Sequence, residues 1–211
     1  MKILAVCTGQ AKPIAAKSGR TGHFKTPVLG AVRVGTDGVE GDEIVDREHH
    51  GGPEQAVYVF TESDRRWWEA ELDRPCPAGF FGENILIDGL DGSDLCLGDV
   101  IETDDVRLQL TAPRIPCVTL AARIGDPKGV KRFHESGRPG AYARVLKPGT
   151  LQAFDDIRYR AFDGERITVA ENMANFVAGF PDPEFLKRLV QVPAHQDGIA
   201  LAKKKLAALD C

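Results

Sequence analysis

The sequence predicts a mainly β protein with some α: a β-barrel with inserted helices, followed by a small C-terminal three-helix unit. Three observations predict it. Short apolar runs of strand length recur between Gly, Pro and Asp turns through residues 1–163. These runs do not alternate with helices, which argues against a doubly wound parallel sheet. After Gly164 the pattern changes to three short helical stretches. At 211 residues the chain suits one main domain, 1–163, and a smaller unit, 164–211.

"KILAVC" is the first predicted strand, and a glycine- and lysine-rich loop follows it. "GAVRV" is a short second strand. The stretch "GTDGVEGDEIVDREHHGGPEQ" has little periodicity, and a loop of that length is uncommon unless it carries function. "AVYVF" is an apolar strand. "TESDRRWWEAELDR" is a helix, with Thr61 as its cap, Asp64 at the third helical position, and Trp68 and Leu72 four apart. "FFGENILIDGL", "DVIETDDVRLQLTA" and "GAYARVLKPGTLQAFDDIRYRAF" supply further strands, and "PKGVKRFHESGR" a short helix that stops at Gly137. In the C-terminal unit, Thr168 and Glu171 form a capping box before "VAENMANFV". Asp182-Pro183 opens "EFLKRLVQV", and "GIALAKKKLAAL" is the third helix. Too short to bury much core alone, this unit is expected to serve packing or docking and not to hold a metal.

The five cysteines, Cys7, Cys76, Cys96, Cys117 and Cys211, include no C-x-x-C pair, so a disulfide framework or zinc knuckle is not expected. No apolar run suits a signal peptide or a membrane span. The expectation is a cytoplasmic protein with free thiols. Charge is segregated: residues 1–36 hold six basic side chains and no acidic one, and residues 106–163 hold eleven basic against five acidic. If the two segments meet, they form a positive pocket suited to a small anion rather than to a nucleic acid polymer.

Three stretches carry candidate chemistry. In "LQLTAPRIPCVTL" a half-buried strand must end at Pro113 and Pro116. The two prolines make a stiff loop that presents Arg114 and Cys117, and a nearby guanidinium favours the thiolate. A lone cysteine is otherwise a small buried hydrophobe, and these residues leave both readings open. In "GDEIVDREHHGGPEQ", His49 and His50 precede Gly51 and Gly52, whose backbone N–H groups can cradle an anion or simply make a turn. In "FGENI", Glu83 and Asn84 bind a polar ligand or tie down a turn.

Together these blocks resemble the MOSC domain, the family named after the C-terminal domain of molybdenum cofactor sulfurase. Gly38, Gly41, Asp42, Asp46, His50, Gly51 and Gly52 match one of its blocks. "GEN", "LGDV" and "APRIPC" match others, and "ESGRPGAYARVL" resembles a block of the smaller YiiM-like members, which also carry a helical "3-alpha" C-terminal domain. The chain departs from its relatives at Ile44-Val45, where Gln-Ala is frequent. The resemblance implies molybdenum cofactor (molybdopterin), with Cys117 as metal ligand. It implies Lys25, Arg114, Arg144, Gly51 and Gly52 around the cofactor phosphate, with Asp46, His50 and Asn84 also at the cofactor. His50 or Glu83 would deliver protons.

The implied activity is reduction of small N-hydroxylated compounds such as hydroxylaminopurine-type bases. Electrons would come from a separate reductase, because no flavin, haem or iron–sulfur signature is present. A homodimer is compatible with this reading, and no membrane or nucleic acid polymer is expected as partner. The alternatives are a sulfur carrier with a persulfide on Cys117, and a cofactor-binding protein without turnover.

Overall fold

The computed structural model describes residues 1–15, 19–47 and 50–209. His49 and Cys211 therefore lie outside the described residues. In chain order the strands are β1 (Lys2–Thr8), β2 (Lys12–Pro13), β3 (Arg20–Thr21), β4 (Thr26–Pro27), β5 (Val32–Gly35), β6 (Gly38–Val39), β7 (Val57–Thr61), β8 (Ile85–Asp88), β9 (Val100–Glu102), β10 (Arg107–Pro113), β11 (Ala141–Lys147), β12 (Gly149–Leu151) and β13 (Arg158–Arg160). The helices are α1 (Glu62–Leu72), α2 (Val118–Ile124), α3 (Gly129–Glu135), α4 (Val169–Val177), α5 (Pro183–Leu189) and α6 (Gln196–Ala207).

Eight strands form one sheet in the order β13-β9-β10-β11-β7-β8-β1-β4. The expected barrel is corrected here: among the described residues the ladder does not close. The segment before β13 instead meets β1 through irregular backbone and one isolated bridge, Lys2 with Asp156. Ile3 N donates to Asp155 O (3.0 Å), and Phe154 N donates to Ile3 O (2.7 Å). Phe154 sits at φ 72°, a left-handed conformation that a regular ladder does not accommodate. A second correction concerns connectivity. β7 and β8 are parallel and joined through α1, so the fold contains one βαβ unit among antiparallel pairs.

Alternation explains why the central strands are apolar throughout. Val57 and Val59 on β7 enter one core, and Tyr58 and Phe60 enter another. Ile85 and Ile87 on β8 divide from Leu86 in the same way. Side chains of successive residues point to opposite faces, so a strand covered on both faces is a continuous hydrophobic run. One face packs aromatic rings, with Trp68 of α1 stacked on Phe133 of α3 (5.6 Å, 16°). The other packs the C-terminal helices, whose Phe185, Leu186 and Leu189 share one core with the strands.

The C-terminal helices are also bonded to the sheet. Leu97 N donates to Ile167 O and Val169 N to Leu95 O, both at 2.9 Å. Fully buried Asp99 accepts from Phe162 N (2.7 Å), from the Tyr159 hydroxyl and from Arg166. Thr168 caps α4 by accepting from Glu171 N at 3.0 Å. The capping box is only half made, because the Glu171 carboxylate accepts from Arg188 at 2.6 Å. Thr168→Ala is expected to lower unfolding free energy by about 1 kcal/mol, measured by urea denaturation. An unchanged midpoint would show that packing alone holds α4. Among the described residues no helix is long and apolar enough to cross a membrane.

Candidate functional site

β10 ends at Pro113, as the two prolines require. The chain then starts a helix that the sequence reading lacked. Cys117 is the N-cap residue of α2, with extended backbone (φ −125°, ψ 176°). Its side chain is half-buried, whereas Cys7, Cys76 and Cys96 are buried. Burial alone would raise the Cys117 thiol. A hydrogen bond from His50, the charge of Arg114, the Leu120 amide and the Thr119 side chain outweigh it and bring the group down to about 6. The other described thiols go the opposite way: burial pushes Cys7 up to about 12 and Cys76 up to about 11, and raises Cys96. Environment thus singles out one thiolate.

Arg114 is 6% exposed. One guanidinium nitrogen donates to Phe81 O (3.0 Å), and another meets His23 Nδ1 (3.2 Å). The group lies over the Tyr58 ring (5.1 Å), and its Nε has no partner. Among the described residues no carboxylate forms an ion pair with it. His23 is buried, and burial, then the Arg114 charge, hold its pKa well below the ordinary value. It is therefore neutral, and Nδ1 accepts from Arg114. Gly82 makes room for it: a Cβ there would meet the His23 ring at 2.5 Å.

These groups line a cavity of about 420 Å³. Lys25, Asp42, Asp46, His50, Gly51, Asn84, Arg114 and Cys117 all reach it, so the two basic segments do meet. The pocket is not simply positive, however. Lys25 Nζ donates to Asp42 Oδ2 at 2.5 Å, with the two side chains 11% and 6% exposed, so its charge is already matched. Asp42 also accepts from Gly9 N (2.9 Å) and from Asn84 Nδ2 (2.9 Å). Asn84 further accepts from Tyr58 N (3.1 Å) and serves as a strut between β7 and the loop after β6. Glu83 is fully buried behind the cavity wall and accepts from the Gly79 and Phe81 amides at 2.5 and 3.0 Å. Burial pushes it up to about 7, against those amides and Lys25.

Glu83, expected as a proton donor, is thus off the cavity lining, and two further expected site residues are as well. Arg144 is absent from the cavity lining. It donates to Pro193 O and Ala194 O (3.0 and 2.8 Å) and pairs with Glu54 (2.9 Å), so it clamps the C-terminal segment. Gly52 also lies off the lining and starts a 3-10 turn at Pro53. Gly51 is on it, at φ 83°, where a Cβ would meet Ile44 Cδ1 at 2.8 Å. The sequence reading missed His23, Tyr58 and Tyr142, which line the cavity. Only the need for a glycine at 82 hinted at His23.

Alkylation by iodoacetamide is expected to modify Cys117 selectively, with a rate that rises with pH about a midpoint near 6. The sign follows from the thiolate being the nucleophile and its fraction growing above the pKa. His50→Ala removes a stabilising hydrogen bond and shifts the midpoint upward. A midpoint near the ordinary thiol value in the native chain would contradict this electrostatic arrangement.

Known proteins place the chain in context. It is 38% identical over 131 residues to YflK of Bacillus subtilis, covering 62% of this chain and 59% of that protein. It is 30% identical over 196 residues to a protein of Gibberella moniliformis described as a reductase, covering 87% of this chain and 33% of the relative. Each match thus spans less than two thirds of the relative. The crystal structure of YiiM from Geobacillus stearothermophilus superposes with a TM-score of 0.79 at 25% identity, covering 96% of this chain and 97% of that one. The family model of the MOSC domain matches residues 46–158, the stretch that holds His50, Asn84, Arg114 and Cys117, and the chain belongs to the MOSC domain family.

Proposed function

We propose that this chain binds molybdenum cofactor and reduces N-hydroxylated compounds, with Cys117 as the protein thiolate on the metal. The observation that supports this most is the contrast among the described cysteines: the one at the cavity is favoured as thiolate, and the others are held as thiols. The donor set fits the cofactor. A thiolate is a soft ligand. The partnerless Nε of buried Arg114 suits an anionic group, and the cavity has the size of small-molecule sites. No cluster of three or more His, Cys, Asp or Glu that could hold a metal ion occurs among the described residues. On this reading Cys117 would be the one protein ligand, and the cofactor would bring the others. The reductase description of the Gibberella relative supports redox chemistry.

When bound, the cofactor would supply the two-electron chemistry. Arg114 would hold its anionic part and keep Cys117 ionised. His50, hydrogen-bonded to Cys117, would pass protons toward the substrate. Conversion of N–OH to N–H with release of water consumes two electrons and two protons. A separate reductase would supply the electrons. The test is to express the protein with cofactor supply, measure bound molybdenum, and assay N-hydroxy reduction with an artificial donor. About one molybdenum per chain with turnover is expected, and metal-free, inactive protein overturns the reading. The half-exposed thiolate also favours a second reading, a persulfide carrier. A sulfur adduct on Cys117 by mass spectrometry, without molybdenum, would select it.

A further inference from the structure

A second cavity, of about 520 Å³, adjoins the first and shares Asp46, His50, Gln55, Cys117 and Tyr142 with it. Its chemistry differs. One wall is the Pro113–Pro116 loop, and the other is the C-terminal helical unit, through Phe176, Phe180, Leu189 and Leu201. Phe176 and Leu201 are 46% and 38% exposed, although side chains of this kind are usually buried. Phe176 meets Phe180 edge to face at 5.9 Å and 83°, leaving an aromatic wall beside the opening. No arginine or lysine lines this cavity.

Besides His50, His195, Thr111 and the carboxylates of Asp46 and Asp197, two amides interrupt the apolar walls. Asn172, on α4, is 8% exposed, and its Oδ1 has no partner. Gln55 touches His195 at 3.4 Å through one end of its amide, and the other end has no partner. His195 Nδ1 accepts from Asp197 N at 3.2 Å, which directs its second ring nitrogen toward Gln55. A buried acceptor without a donor is unfavourable, and in small-molecule sites a few such groups fix the orientation of an apolar ligand.

We infer that this cavity is the organic-substrate pocket, and that it takes small flat aromatic molecules that donate an N–H to Asn172. The division of the site follows. The first cavity offers cations and the thiolate to an anionic cofactor, the second offers apolar walls and an amide acceptor, and Cys117 and His50 stand where they meet. The helical unit, expected to serve only packing or docking, thereby contributes the specificity wall. Calling the ligand a substrate rests on the proposed reductase function, but the pocket itself can be tested without the cofactor.

The experiment uses cofactor-free full-length protein and two probes, indole and 1-methylindole, which differ by the N–H. Isothermal titration should show indole binding about fivefold more tightly, the effect of one neutral hydrogen bond. Asn172→Leu should abolish the preference and leave 1-methylindole affinity unchanged. Since Asn172 is buried, Phe176→Ala at the exposed rim provides a second variant, expected to weaken both probes with an unaltered melt. Absence of indole binding, equal affinity for the two probes, or a preference that survives Asn172→Leu would each overturn the proposal. Molybdenum content of the same proteins separates the two claims. A selective pocket in a chain that never takes up molybdenum would sink the reductase reading and leave this one standing.

Discussion

Cys117→Ser is expected to reduce N-hydroxy turnover to below about 1% of the native protein while leaving its thermal melt unchanged or slightly raised. The two halves have separate physical causes. Serine is nearly the same size, but its hydroxyl does not ionise near neutral pH, so it cannot replace a thiolate as ligand or nucleophile. Stability should not suffer, because Cys117 is the N-cap of α2 and a serine hydroxyl can accept from the Leu120 amide that faces the thiol. Serine is a favoured N-cap, where a good cap contributes roughly 0.5–2 kcal/mol. The measurements are reduction with an artificial donor and a melt on the same preparation. Full activity in a well-folded variant would remove Cys117 from the mechanism. Serine at Cys7, Cys76 or Cys96 should leave turnover intact, because those thiols are buried and held protonated.

Arg114→Ala is expected to weaken molybdenum retention by about ten- to a hundredfold, the effect of losing a charge-assisted contact of roughly 1.5–3 kcal/mol. Lys128→Ala should have no such effect. Both residues are basic and lie in the same sequence segment, but Lys128 is exposed at the start of α3, whereas Arg114 is buried beside the thiolate. The same substitution should raise the pH midpoint of Cys117 alkylation, since Arg114 is one of the charges that lower it. This second readout needs no cofactor and separates loss of the field from loss of a contact. Equal metal content in the two variants, with an unmoved alkylation midpoint, would show that Arg114 does not set up this pocket.

The sequence by itself determined those features that depend on neighbours along the chain. Thr61 caps α1 and accepts from Asp64 N, Asp182 caps α5 ahead of Pro183, and the prolines end β10 and stiffen the approach to Cys117. The ordered blocks that resemble the MOSC domain were legible for the same reason, since each is a short local pattern. The C-terminal helices were readable too, because their apolar residues recur at helical spacing. Tertiary structure alone decided the rest. Whether the sheet closes depends on how residues 154–157 meet β1, more than a hundred and fifty positions away. Lys25 looked like a free cation until the fold placed it on Asp42, and Arg144 like a phosphate ligand until the fold set it against Glu54 and the 193–194 carbonyls. His23 carries no local pattern at all, yet it meets Arg114 from 91 positions away. Charge and burial act through space. A chain can therefore announce a helix cap or a proline stop in four residues, but which cation stays unmatched, and which thiol ionises, is set only when distant segments pack together.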